Sequence, residues 1–104
     1  DTLKEIKGNR FPIGGGDIYK KGNFKTHTIK IKEGDKFYMY SDGFPDQFGG
    51  EKEKKYMNKK FKNLLIKNHS LSTKQQYEIL NNELISWKGN LEQIDDILII
   101  GILF

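Results

Sequence analysis

The side chains in this sequence best suited to hold a divalent cation are three aspartates, Asp42, Asp95 and Asp96. Asp42 follows a short aromatic run, residues 37–40, and is followed by Gly43 and a glycine-rich loop over 44–50. A run that apolar and short, bounded by turn residues, suits a strand buried on both faces. The end of a strand is a stiff mount, as a metal ligand requires, and Gly43 would allow a sharp bend there. Asp-Gly is also a common turn dipeptide, and taken alone it favours a β-turn in which Asp42 bonds its own backbone. The acidic pair Asp95-Asp96 stands just before a second apolar run, residues 97–104. If the two runs are antiparallel neighbours, the end of one lies beside the start of the other, and Asp42 and Asp95 meet at one rim. Like charges that close repel unless a cation sits between them.

The composition narrows the chemistry. The chain has no cysteine, which excludes disulfides, thiolate metal sites and cysteine nucleophiles. His27 and His69 are far apart, with no helical pairing to support a histidine zinc site. A bound metal would need oxygen ligands, which selects Mg²⁺, Mn²⁺ or Ca²⁺. With 104 residues, 36% hydrophobic and 31% charged, the chain suits one folded domain with a modest core. The net charge is +4 and the pI about 9.2, but the lysines are spread except over 51–60, which reads as a solvated helix face rather than a nucleic-acid stripe. No stretch reaches the roughly 18 apolar residues of a membrane helix, so no membrane contact is expected of this segment. The chain starts at Asp1 and enters a strand almost at once, as a piece of a longer protein would.

The supporting elements follow from periodicity. Residues 2–7 read as a short strand, and the glycine-rich stretch 8–17 as a loop without the Gly-Lys-Ser/Thr of a phosphate loop. Residues 25–32 alternate, with His27, Ile29 and Ile31 on one face, and the turn at 33–35 predicts a hairpin with the strand at 37–40. Met57, Phe61, Leu64 and Leu65 predict a helix over 54–68. Ser72 and Gln75 form a capping box that opens a second helix, with Tyr77, Leu80, Leu84 and Trp87 as its stripe and Gly89 as its stop. Trp87 is expected to anchor the core. Residues 97–104 are apolar throughout and predict a central strand covered on both faces. The order of strands, two helices and a strand predicts an α+β fold with the helices over a largely antiparallel sheet.

Taken as an ordered set, residues 41–50, the helix with Tyr56 to Leu65, the segment 87–89 and the segment 93–101 resemble the C-terminal half of a SpoIIE-like domain in the metal-dependent (PPM, type 2C) serine/threonine phosphatase family. Residues 10–14 and 31–35 fit the same pattern. The resemblance implies a single partial domain over 1–104, half of a four-layer αββα sandwich, with a site for two Mn²⁺ or Mg²⁺ ions at its edge. There, water attacks a phosphoserine or phosphothreonine in line, without a phosphoenzyme. By motif match it implies Asp42 and Asp95 as metal ligands and Asp96 as an outer residue orienting Asp95, with Gly43 beside them. It implies a substrate-cleft border that includes Phe44, Asp46, Gln47, Gly49 and Gly50. The bridging aspartate and earlier acidic motifs of the family have no counterpart in these residues. The isolated chain is therefore expected to be inactive and to self-associate through uncovered strand edges. The implied setting is cytoplasmic bacterial signalling, behind a sensor, with a phosphorylated anti-sigma-factor antagonist as partner. The alternative is a non-catalytic signalling or interaction module on the same fold.

Overall fold

The computed structural model of the chain describes residues 3–6 and 28–104. Contacts divide the chain into two compact units, Asp1–Ile31 and Lys32–Phe104. In the first unit the described residues, 3–6 and 28–31, are exposed and belong to no strand. The strand expected over 2–7 is therefore not present at 3–6, and the strand expected over 25–32 is not present at 28–32. Alternation sorts side chains to two faces, but a strand also needs a ladder partner and a surface to cover it. Among the described residues Ile29 and Ile31 have no ladder partner, and both are exposed. Residues 2, 7 and 25–27, and the glycine-rich loop 8–17, lie outside the described residues.

The second unit is built on a two-stranded antiparallel sheet, β1 (Lys36–Tyr40) and β4 (Ile99–Leu103), in the register Lys36↔Leu103 to Tyr40↔Ile99. The partner of β1 is thus the distant C-terminal run, and the described residues 28–32 belong to no strand. Hydrogen bonds extend the pairing at both ends, through Phe104 N–H to Asp35 O at 2.9 Å and Ser41 N–H to Leu98 O at 2.9 Å. Tyr38, Tyr40, Ile97 and Ile99 pack towards the core, whereas Met39, Ile100 and Ile102 are exposed. The expectation that both faces of 97–104 are covered fails because the two helices lie on one face only, and among the described residues β4 has a single neighbour. Gly101 has no side chain to displace the Tyr38 ring, which lies across it and reaches Gln76 Oε1 with its hydroxyl at 2.6 Å.

Between β1 and the helices, β2 (Phe48–Gly49) and β3 (Lys54–Lys55) form a small antiparallel hairpin. Gly50, at φ +71°, makes its turn in a backbone region that favours glycine. Tyr56 N–H continues the pairing to Gln47 O, and Met57 N–H to Pro45 O. These bonds hold 54–56 out of the helix and turn the chain at Met57 (φ +84°), so α1 spans Asn58–Asn68 and starts four residues later than periodicity suggests. Met57 lies before the helix and is exposed, so it is not part of the stripe. Helix α2 (Thr73–Lys88) opens with both bonds of the Ser72–Gln75 capping box and ends at Gly89. Leu80, Leu84 and Trp87 pack against the core, while Tyr77 is turned to solvent.

The core is a file of aromatic rings. Tyr40 meets Phe61 at 4.6 Å, Phe61 meets Phe44 at 4.8 Å, Phe44 meets Tyr56 at 5.1 Å, and Tyr56 meets Trp87 at 5.3 Å. Edge and tilted contacts at these spacings align ring edges with ring faces. Lys60 Nζ caps the end of the file, 4.5 Å from the Tyr56 ring and 4.1 Å from the Trp87 ring. Phe61 is fully buried and belongs to two of these contacts. Phe61→Ala is expected to cost about 3–5 kcal/mol, read as a lowered urea midpoint. An unchanged midpoint would show that the file does not hold the unit together.

Candidate functional site

The exit of β1 and the entry to β4 meet at one end of the sheet. Ser41 follows β1 directly. Its hydroxyl donates to Asp96 O at 2.9 Å and accepts from Leu98 N–H at 3.0 Å. Gly43 lies so close to the same segment that a Cβ there would collide with the Asp96 carbonyl oxygen and come within 2.8 Å of Ile97 Cγ1. The residues on either side of Asp42 therefore both touch the segment that follows Asp95. The φ of Gly43 is not positive, so the position requires glycine for this close approach rather than for a sharp bend. From 42 to 47 the chain forms a turn closed by Asp46 N–H to Asp42 O at 2.9 Å.

The three aspartates are exposed. Asp95 Oδ1 accepts from the Asp96 backbone N–H at 2.8 Å, so Asp96 orients Asp95 through its main chain. Gln93 Nε2 donates to Asp95 O at 3.0 Å and steadies the same turn. Burial raises the pKa of the Tyr40 phenol above the ordinary tyrosine value, and the nearby Asp42 carboxylate adds to that rise. As donors, these carboxylates suit a hard cation in kind. They fall short in number, because among the described residues no three His, Cys, Asp or Glu side chains form a metal-holding group.

The loop residues separate into two sets. Phe44 and Gln47 are fully buried and Gly49 is buried, so these three build the floor of the loop. Asp46 is half-buried and 3.8 Å from Lys55 Nζ, and Gly50 is exposed. Gln47 ties the loop down. Its Nε2 donates to Phe48 O at 3.0 Å and Glu92 O at 2.9 Å, and its carbonyl accepts from Trp87 Nε1 at 2.8 Å. Gly49 lies against the Trp87 carbonyl, where a Cβ would clash. Ser41 enters the sequence reading only as part of the 41–50 motif and without a site role, although a hydroxyl at a strand exit beside a carboxylate was the available signal. The same reading placed Gln47 at the cleft, since nothing in the sequence shows that its amide turns inward.

A profile of the family Stage II sporulation protein E (SpoIIE) matches residues 1–103. The chain belongs to the SpoIIE family. The structure of this SpoIIE-like chain is similar to that of the SiaA-PP2C domain of Pseudomonas aeruginosa, with a TM-score of 0.82 and 29% identity over 97% of this chain. The fold is thus α+β and of the PP2C (PPM phosphatase) type. The matched region spans 38% of that solved chain. No curated protein sequence gives a significant match. Among the described residues no helix is long and apolar enough to cross a membrane.

Two outcomes follow for this SpoIIE-like segment. Gly43→Ala should push residues 96–97 away from the β1 exit, seen as faster amide exchange at Ser41 and Leu98; unchanged exchange would contradict the contact. The second concerns Tyr56, whose pKa is raised well above the usual tyrosine range by burial, by its 2.7 Å hydrogen bond to Glu83 Oε2 and by the charge of that carboxylate. A raised folded pKa means that the unfolded chain loses its proton first. Stability is thus full below about pH 10 and falls as pH rises towards the folded value. Tyr56→Phe should flatten that alkaline decline in urea titrations, and an equally steep decline would contradict the assignment.

Proposed function

We propose that this chain supplies the Asp42 and Asp95 ligands of a Mn²⁺- or Mg²⁺-dependent serine/threonine phosphatase that acts on a phosphorylated regulatory protein of bacterial signalling. The observation that carries the reading is the contact of Ser41 and Gly43 with the segment of Asp95 and Asp96, within a PP2C-type fold. A divalent cation bound there supplies an activated water and neutralises charge on the phosphoryl oxygens. The chain's own part is to hold two carboxylates on stiff mounts. Asp42 is fixed by the β1 exit and its closed turn, and Asp95 by the Asp96 N–H. Asp46 and Gly50, at the surface of the loop, are proposed to border the substrate cleft, with Phe44, Gln47 and Gly49 supporting them from beneath.

The shortage of carboxylates among the described residues favours a second statement about the 104-residue chain. We propose that by itself it binds Mn²⁺ weakly and turns over little phosphate, serving only as part of a site. We also propose that the exposed apolar face at Met39, Ile100 and Ile102 makes the isolated chain self-associate in the cytoplasm.

Titration of the chain with Mn²⁺, followed by the electron paramagnetic resonance of the free ion, tests the ligand assignment. Asp42→Asn and Asp95→Asn are each expected to remove the weak binding. Binding that survives both substitutions contradicts the assignment. Phosphate release from a phosphoserine peptide should stay near background for the wild-type chain, and rapid release would show that its own residues complete a site.

A further inference from the structure

We infer that Ser41 is a positioning residue, whose hydroxyl fixes the Asp95–Asp96 segment against Asp42. This rests on the proposed ligand assignment for its importance, and on geometry for its substance. The ladder between β1 and β4 ends at Tyr40↔Ile99, one residue before Ser41. Beyond that point residues 96–98 belong to no strand. Ser41 takes over with three bonds. Its N–H donates to Leu98 O at 2.9 Å, its hydroxyl donates to Asp96 O at 2.9 Å, and the same oxygen accepts from Leu98 N–H at 3.0 Å.

A hydroxyl suits this place because one oxygen must both give and receive a hydrogen bond. Alanine would leave Asp96 O and Leu98 N–H without that partner, and both would turn to water. Residues 96–98 would then separate from the β1 exit. The Asp96 N–H that orients Asp95 Oδ1 belongs to the same short stretch, so loosening at 96 reaches the proposed ligand. Gly43 allows the approach, and Ser41 holds it closed. Threonine keeps the donor and the acceptor on the same atom.

The test compares Ser41→Ala and Ser41→Thr in the 104-residue chain, with helix content checked by circular dichroism. Wild type should show nuclear Overhauser contacts between Gly43 Hα and the Ile97 side chain, and a protected Leu98 amide. Ser41→Ala should lose both, and Ser41→Thr should keep both. Retention of both in Ser41→Ala overturns the inference. Equal loss in the two variants overturns it too, since the hydroxyl would then not be the deciding group. In a Mn²⁺ titration, Ser41→Ala should weaken binding about 10- to 100-fold, as loss of a group behind a metal ligand does, with Ser41→Thr near wild type. If the wild-type chain binds no Mn²⁺, the ligand assignment fails, and the contact and exchange measurements still decide the role of Ser41.

Discussion

The structure depends on a near-contact between backbones at one end of the sheet, where Gly43 lies against the carbonyl of Asp96. Closeness of that kind admits no side chain at position 43. It also fixes how the chain leaves β1, because the following turn starts at Asp42 and folds Phe44 inwards. Phe44 then becomes the middle of the ring file and joins the loop to α1 and, through Tyr56, to Trp87 on α2. The packing of the helices and the placement of the acidic residues are therefore settled at the same point.

A second constraint works from the far side of the loop. The carbonyl of Gln47 receives Trp87 Nε1–H and Tyr56 N–H, and its amide reaches Glu92 O. Gly50 N–H adds a bond to Trp87 O at 3.0 Å. These bonds hold 44–50 between the end of α2 and the segment leading to Asp95. Buried polar groups tied in this way specify one arrangement of a loop that apolar packing alone would leave loose. In a unit whose buried apolar core is Phe44, Tyr56, Phe61 and Leu65, such bonds replace part of what a larger core provides.

Much of this was legible in the sequence, for local reasons. The capping box and Gly89 bracket α2 because helix ends need particular donors, acceptors and backbone freedom within a few residues. The two apolar runs and the motif set led to the fold type and the family. What periodicity could not show was pairing. Residues 25–32 alternate well, yet 28–32 form no strand, and β1 joins a partner at the other end of the chain. Lys54 and Lys55 fit a helix face but are drawn into β3 by the hairpin with Phe48 and Gly49. At the candidate site the carboxylates draw notice in the sequence by lying close to the two apolar runs. The hydroxyl of Ser41 beside a carboxylate gave only a hint, and the inward turn of Gln47 none, because their partners are remote in sequence.

The proposed sharing of one hard divalent ion requires the carboxylates of Asp42 and Asp95 to reach the same point. Anomalous diffraction from crystals grown with Mn²⁺ tests it most directly. A manganese peak is expected within coordination distance of both carboxylates, at the end of the sheet where Ser41 meets Asp96. A peak bound elsewhere, with the two carboxylates pointing apart, would contradict the proposed sharing.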